Sequence, residues 1–315
     1  MRRTRAGLLA GAMLVLAACS GSASSPGPAT TPTATGPPAY VLAKLTVGSK
    51  PCAVEGGFGS IWVSVYGDDV ELRIDPATRK VLARVQTGRS PCGIAVGGGA
   101  VWVENYGGDS VTRIDPTTNA ATTVKVGAAP YDVTFAAGAA WVTNYGDDTV
   151  TRIDAKTRKT TAIDVGNSPV GIAPAGGAVW ATSMIDGTLA RIDTETLKVR
   201  MSKLDANPSW TAWGDGQLWV SDADQLVRID PRSGRQLEAV PLAGAPNDGD
   251  VVNGVVWVPD ANGELHEIDP KTGKQLGSWA TGLTNPFVLA GWAGKLWTVD
   301  FRGTALEEID PAALR

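Results

Sequence analysis

Short apolar runs alternate with Gly, Asp, Asn and Pro turns along residues 40–315, and no segment carries a convincing helical period. In the stretch that Pro91 opens, the runs cover roughly residues 93–96, 100–105, 110–114 and 122–126. Runs of this length between turn residues are typical of successive antiparallel strands. The pattern therefore predicts a chain built from groups of four short strands.

Three landmarks recur seven times in one register, which marks this stretch as a tandem repeat. A proline opens each unit, a tryptophan lies in its second run, and an Ile-Asp pair ends its third run. The tryptophans are Trp62, Trp102, Trp141, Trp180, Trp219, Trp257 and Trp297, and the aspartates are Asp75, Asp115, Asp154, Asp193, Asp230, Asp269 and Asp310. Four strands in a repeat near 40 residues are the signature of a propeller blade, so we predict an all-β, seven-bladed β-propeller.

The two ends of this region complete each other. Residues 40–47 resemble a fourth strand that precedes the first unit, whereas the seventh unit stops after its third strand. We therefore expect the N-terminal strand to complete the last blade, which closes the ring and leaves no free edge.

The first 39 residues have a different composition. They begin with basic residues, and the apolar run that follows, residues 8–18, is too short to span a bilayer permanently. Residues 1–18 are therefore interpreted as a signal peptide. The sequence Leu16-Ala17-Ala18-Cys19 resembles the lipobox of bacterial lipoproteins, which implies that Cys19 carries the lipid. Residues 19–39 read as the lipidated cysteine followed by a disordered Ser/Pro/Thr/Gly tether. The predicted location is the extracytoplasmic face of the bacterial membrane.

The net charge of the chain argues against one class of partner, nucleic acid. The whole chain has a formal charge of −4, and removing the basic start leaves −7. A surface of this sign repels phosphate backbones, so no nucleic-acid partner is expected. A closed ring also needs no second subunit to satisfy its strand edges, so we expect a monomer.

The third unit carries a family resemblance. The stretch Trp141-Val142-Thr143-Asn144-Tyr145-Gly146 resembles the YVTN repeat of YncE-like bacterial propellers, with Trp in place of the first Tyr. The Pro-x-Gly-Ile-Ala opening is similar to that of streptogramin B (virginiamycin B) lyase. The resemblance covers residues 40–315 and implies architecture more than function, because folds host many unrelated sites.

The repeated residues themselves favour structural roles. Each tryptophan is flanked by apolar residues in mid-strand, so we expect it to fill the space between blades. An arginine two residues before the Asp shares its strand face in five units, which predicts repeated ion pairs. The Gly-Asp-Asp sequences at 67–69 and 146–148 fall where a hairpin turn is due, so turn chemistry is preferred to a calcium loop.

A ligand site is expected where the seven copies differ, at the mouth of the central channel. The second position after each opening proline is small in most units, and Asp132, Trp210 and Asp248 are exceptions. Near the end of the second strand, one side of the predicted mouth is aromatic and the other acidic. The candidates there are Tyr66, Tyr106, Tyr145, Asp222, Asp260 and Asp300. Such a mouth suits a cationic molecule, a peptide, a sugar or a metal ion; a solvated rim without a ligand is the alternative.

Cys52 and Cys92 follow the opening prolines of neighbouring units. Adjacent inner strands can bring their Cα atoms to bonding distance, so a disulfide that clamps the first two blades is predicted. A reactive thiol or a metal pair is the alternative.

Groups for catalysis are few. The one histidine, His266, aligns with the strand residues Thr112 and Thr151, and is expected to be a solvated strand residue. Streptogramin B lyase is similar in repeat pattern but relies, as a family, on catalytic histidines and magnesium. No catalytic residue is therefore assigned, and no cofactor beyond a possible Mg²⁺ or Ca²⁺ is expected. We predict a binding module for a small molecule, peptide or protein; a metal-dependent lyase or hydrolase that uses Asp248, Asp260 and Asp300 is the alternative.

Overall fold

The computed structural model describes residues 38–204 and 207–314, and these form seven four-stranded antiparallel sheets. The predicted signal peptide and Cys19 lie outside the described residues, as does the predicted tether apart from Pro38 and Ala39. Within the described ranges, no helix has the length and apolar character needed to cross a membrane.

The first four blades each contain four strands in chain order. Blade one is β2 (Pro51–Gly57), β3 (Ser60–Val65), β4 (Val70–Ile74) and β5 (Val81–Gln86). Blade two is β6 (Pro91–Gly97), β7 (Ala100–Asn105), β8 (Ser110–Ile114) and β9 (Ala121–Lys125). Blade three is β10 (Pro130–Ala136), β11 (Ala139–Asn144), β12 (Thr149–Asp154) and β13 (Thr160–Asp164). Blade four is β14 (Pro169–Ala175), β15 (Ala178–Ser183), β16 (Thr188–Asp193) and β17 (Val199–Lys203).

The remaining blades follow the same order until the last. Blade five is β18 (Pro208–Gly214), β19 (Gln217–Asp222), β20 (Gln225–Ile229) and β21 (Gln236–Pro241). Blade six is β22 (Asp250–Val252), β23 (Val255–Pro259), β24 (Glu264–Ile268) and β25 (Gln275–Ala280). Blade seven is β26 (Pro286–Trp292), β27 (Lys295–Asp300), β28 (Ala305–Ile309) and, as its outer strand, β1 (Val41–Thr46). A 3₁₀ turn, Pro311–Leu314, ends the described chain.

The seven-bladed propeller and its closure by the N-terminal strand are confirmed. Strand β1 pairs antiparallel with β28, and Leu45 lies opposite Leu306. Blades seven and one then share a core in which Val54 and Val288 belong to the same buried cluster. The ring therefore has no unpaired strand between its first and last blades.

The tryptophans are structural, as predicted. All seven are at most 1% exposed and belong to the cores between blades. In four blades the indole N–H donates to the carbonyl five residues earlier, as Trp62 Nε1 does to Gly57 O at 3.1 Å. All seven rings thus fill space between blades, and in these four blades the ring also ties the second strand to the end of the first.

The arginines differ from the prediction of repeated ion pairs. Among the described residues, only Arg152 lies within 4 Å of the aspartate two positions on, with Nη2 at 3.6 Å from Asp154 Oδ2. In blades one to four the guanidinium instead lies over the tryptophan of the same blade, 5.5–5.8 Å from its ring centre. Arg73 also donates to Pro116 O in the next blade. The arginines therefore act through cation–π contacts and links between blades.

The aspartates of the Ile-Asp pairs cap turns. Asp75 Oδ1 accepts hydrogen bonds from Ala77 N and Thr78 N, and the equivalent aspartates of the other blades accept in the same way. These backbone N–H groups lower the pKa of Asp75 and of its counterparts in blades two to six. The Gly-Asp-Asp sequences are hairpin turns as well, and Asp69 and Asp148 each accept a backbone N–H of the next blade.

Blades one and two are joined covalently. A disulfide links Cys52 and Cys92, whose Cα atoms are 5.0 Å apart, and the closed loop spans 40 residues. Cross-linking a loop of this size lowers the entropy of the unfolded chain. The bond therefore clamps two neighbouring inner strands.

Replacing both Cys52 and Cys92 with Ser is expected to lower the free energy of unfolding by about 2–4 kcal/mol. Urea unfolding monitored by circular dichroism measures this, with and without reductant. Reductant should shift the midpoint of the unmodified chain and leave the double variant unchanged. Equal midpoints for all four conditions would contradict a stabilising role for the bond.

Candidate functional site

The inner strands of the seven blades surround a cavity of about 500 Å³. This volume is in the range of pockets that bind small molecules. Four acidic side chains line it, namely Glu55, Asp132, Asp248 and Asp250, and no described Lys, Arg or His does. The channel is therefore an acidic chamber without a basic counter-charge in its lining.

Three of these carboxylates are held by backbone N–H groups. Asp132 accepts from Val133 N at 2.7 Å and from Ile172 N of blade four at 3.0 Å. Asp250 does the same with Val251 N at 2.7 Å and with Gly291 N of blade seven at 2.9 Å. Glu55 accepts from the adjacent Gly56 N at 2.9 Å. Asp132 and Asp250 thus join neighbouring blades while they face the channel.

Asp248 is placed by a local departure from the blade pattern. The inner strand of blade six has only three residues, and the segment before it pairs in parallel with blade seven through Asp248 and Val288. Gly249 stands where other blades carry a larger residue, and a Cβ there would lie 2.4 Å from Trp257 O. Glycine therefore permits the close approach that turns Asp248 inward. Its carboxylate has no hydrogen bond to any described residue.

Burial in the channel raises the pKa of all four acids. Burial, reinforced by the charge of Asp250, raises the pKa of Glu55 to about 8, and burial raises the pKa of Asp132 to about 7. Burial also raises the pKa of Asp248 well above its usual range, and the charges of Asp132, Asp250 and Glu55 add to this. Burial therefore favours the protonated forms of Glu55 and Asp248 at neutral pH.

Two further acidic side chains, Glu71 and Glu104, are buried outside the cavity lining. Glu104 is fully buried, accepts from Gly93 N at 2.9 Å through Oε1, and has no described partner for Oε2. Glu71 accepts from Ser64 Oγ at 2.7 Å through Oε2, and its Oε1 is likewise without a described partner. Burial raises the pKa of both well above the ordinary value for glutamate, so both favour the neutral form.

Aromatic rings cover the end of the channel at which the inner strands begin. Seven of them, which we call the aromatic cap, are Tyr66, Tyr106, Tyr131, Tyr145, Trp210, Phe287 and Phe301. Trp210 of blade five contacts both Tyr131 of blade three and Phe287 of blade seven, with centroids 5.5 and 5.4 Å apart. The contacts therefore skip blades four and six and reach across the mouth.

The predicted site residues separate into three groups. Asp132, Trp210 and Asp248 line the cavity. Tyr66, Tyr106 and Tyr145 belong to the aromatic cap but do not line the cavity. The structure places Asp222, Asp260 and Asp300 elsewhere: all three are at most 6% exposed and are absent from the lining.

Those three aspartates accept hydrogen bonds from backbone N–H groups of loops and turns. Asp222 accepts from Asn207 N at 2.7 Å, and Asp300 accepts from Asn285 N at 3.2 Å. Asn105 holds the equivalent position in blade two and accepts from Gly88 N at 3.0 Å. A carboxylate or amide at the end of the second strand therefore satisfies the loop that leads into the same blade.

His266 is buried, so the expectation of a solvated histidine is wrong. It is 0% exposed, its Nε2 lies 3.1 Å from Asp260 Oδ2, and its Nδ1 lies 3.0 Å from Gln275 Nε2. Its alignment with Thr112 and Thr151 holds, because those threonines bond to Asn105 and Asn144 at the position of Asp260. Asp260, Glu264 and His266 have the residue types of a metal site, but these hydrogen bonds already give both imidazole nitrogens partners.

Sequence reasoning missed Glu55 and Asp250. Each lies two residues beyond a position already assigned to the channel, Ala53 and Asp248 respectively. Residues two apart on a strand share a face, so extending the reasoning one step along the inner strands would have found both.

The comparisons with known proteins show the fold. The chain is similar to the structure of virginiamycin B lyase from Staphylococcus aureus, with 14% identity, a TM-score of 0.77, and 85% of this chain and 98% of that chain covered. It is also similar to Kuenenia stuttgartiensis hydrazine synthase, with 14% identity, a TM-score of 0.73, and 88% and 100% covered. No protein-family model matches the sequence, and no curated protein does.

Proposed function

We propose that this chain is a membrane-anchored, extracytoplasmic propeller that binds a cationic ligand in its central channel. The observation that carries the proposal is the set of four carboxyl side chains facing a cavity of about 500 Å³ whose described lining has no basic residue. Enclosed acids attract a cation strongly because little water screens them. Tyr131 and Trp210 at one end of the cavity add aromatic surface that favours positively charged groups.

The anchoring part of the proposal rests on the sequence. The basic start, the short apolar run and the small residues before Cys19 together resemble a lipoprotein signal. Residues 19–39 would then hold the propeller away from the membrane surface.

A metal-dependent lyase or hydrolase is the second candidate, and its support is the fold shared with virginiamycin B lyase. The three carboxylates assigned to that chemistry are not gathered at one place. Asp248 lines the channel, whereas Asp260 and Asp300 brace loops. We therefore favour binding over catalysis.

Thermal-shift measurements with amines, Mg²⁺, Ca²⁺ and neutral saccharides test the proposal. A cation at a hundred times its Kd should stabilise the fold by about 2.7 kcal/mol. The shift should be larger at pH 8.5 than at pH 6, because the pKa of Asp132 is about 7 and that of Glu55 about 8, and the ionised forms bind the cation.

Replacing Asp132 and Asp248 together with Asn should abolish the cation-dependent shift. Asp164→Asn is the matched control, since it removes one negative charge from an exposed position on an outer strand. Cation binding that persists in the double variant would contradict the channel as the site. Stabilisation by neutral saccharides alone would contradict a cationic ligand.

A further inference from the structure

The aromatic cap closes one end of the channel. Its rings contact one another in a continuous series from Tyr66 in blade one to Tyr106 in blade two, through blades seven, five and three, with neighbouring centroids 5.0–6.0 Å apart. Of the seven rings, only Tyr131 and Trp210 line the cavity. The cap therefore covers the chamber on this side.

The lining continues to the opposite end of the inner strands, which we call the far end. There it includes Phe58, Phe135, Trp213 and Trp292, and Phe58 is 42% exposed. Phe135 and Trp292 pack against Gly97 and Gly56 of neighbouring blades, where an added Cβ would lie 2.1 and 2.5 Å from the rings. These two rings therefore pack sideways into the wall at the far end.

The carboxylates are arranged in two tiers along the channel, between the cap and the far end. Asp132 and Asp248 form the upper tier beside the cap, and Glu55 and Asp250 form the lower tier, two residues further along the inner strands. A step of two strand residues is about 7 Å. The lining between and around the tiers includes the small side chains of Ala53, Ala95, Ala173 and Ala212.

An unsatisfied oxygen adjoins the upper tier. Glu104 is 0% exposed, and its Oε2 has no hydrogen-bond partner among the described residues. Gly93 of the channel wall lies between it and Asp132, since a Cβ there would be 3.2 Å from Glu104 Cγ and 3.1 Å from Asp132 Oδ1. Burial favours the protonated form of Glu104, and Oε1 accepts from Gly93 N, so the unpartnered Oε2 is a hydroxyl beside the upper tier and not a further negative charge.

We infer that the channel takes an aliphatic diamine or polyamine through the far end. The leading ammonium lies between Asp132 and Asp248 beside Trp210 and Tyr131, the alkyl chain passes the small residues, and the second ammonium lies between Glu55 and Asp250. This inference rests on the proposed function and specifies its ligand class and route.

The spacing favours such a ligand over a bare divalent ion. A metal site needs several ligand atoms close together. Among the described residues, the set of three such groups within 4.8 Å of one another is Asp260, Glu264 and His266, outside the channel lining. The channel carboxylates are spread along an axis instead, as two separated charges on one ligand require.

Isothermal titration calorimetry of the full chain at pH 8.5 tests the ligand class with 1,4-diaminobutane, butylamine and Mg²⁺. The diamine should bind at least tenfold more tightly than butylamine, because the second ammonium gains its own charge-assisted contacts. Asp250→Asn should remove that advantage, whereas Asp164→Asn should keep it. Equal affinities for the two amines, or tighter binding of Mg²⁺, would overturn the inference but leave cation binding intact. Failure of every cation to bind would overturn the proposed function as well.

Association rates measured by stopped-flow tryptophan fluorescence test the route. Phe58→Lys places a positive charge at the far end, and Ala261→Lys places the same charge on an exposed turn of the capped face. The first should slow diamine association at least tenfold and Phe58→Glu should accelerate it, because charges at an opening steer approaching ions; Ala261→Lys should have no effect. Slowing by Ala261→Lys alone, or equal slowing by both lysines, would overturn the far-end route.

Discussion

Glu55→Gln is expected to raise the free energy of unfolding at pH 9 by on the order of 3 kcal/mol and to leave it unchanged at pH 4. Burial, with the charge of Asp250, raises the pKa of Glu55 from 4.5 to about 8 in the folded chain. The folded state therefore holds this proton more tightly than the unfolded state does. The stability that the proton contributes is complete below pH 4.5 and is lost as the pH rises through 8.

Glutamine resembles the protonated acid at every pH and still offers an oxygen to Gly56 N, which donates to Glu55 Oε1. At pH 9 it removes the cost of an enclosed charge, and thermal unfolding should occur roughly 6–12 °C higher. Glu195→Gln is the matched control, because Glu195 is exposed. The same increase at pH 4 and pH 9, or a decrease at pH 9, would show that Glu55 does not carry this cost.

A chain that begins at residue 48 is expected to be less stable than one that begins at residue 38 by about 5 kcal/mol or more. The shorter chain lacks β1 and the residue after it, and so loses the buried Val41 and Val47 from two different cores. It also lacks Lys44, whose Nζ donates to Gly282 O and lies 3.6 Å from the buried Glu307 Oε1. Removing that cation leaves an enclosed carboxylate without its partner.

Differential scanning calorimetry and light scattering measure both consequences of this truncation. The melting temperature should fall by more than about 10 °C, and the unpaired edge of β28 should promote association between molecules. The chain beginning at residue 38 is the control. If the two chains melt together and both remain monomeric, β1 does not close the ring in solution.

The fold could be predicted because every blade has the same structural residues at the same positions. A buried tryptophan, a turn-capping aspartate and an opening proline recur seven times, so seven copies supply the signal that one blade would lack. Closure by residues 40–47 followed from counting strands at the two ends. The arginines were assigned to ion pairs because Arg73 and Asp75 share one face of the same strand. The sequence does not show that the Arg73 guanidinium lies over the ring of Trp62, 5.5 Å from its centre.

The candidate site was harder to predict, because a sequence position does not reveal which way a carboxylate turns. Asp248 precedes the first strand of blade six and Asp260 follows the second, yet Asp248 lines the channel whereas Asp260 bonds to Asn262 N and His266. Gly249 decides the orientation of Asp248 by permitting a close backbone approach that repeat alignment does not show. The aromatic cap likewise depends on contacts between blades that are not neighbours in the ring.

The pairing of the two ends of the propeller has a consequence for how such a ring can be cut. Asp310 N donates to Tyr40 O at 2.8 Å, so the first and last residues of the ring are already adjacent. Joining them and opening the chain in another loop between blades would keep every strand pair, with a different blade built from both termini. Which blade contains both termini therefore depends only on where the gene begins and ends. Circular permutation would move the termini to another blade without altering the channel.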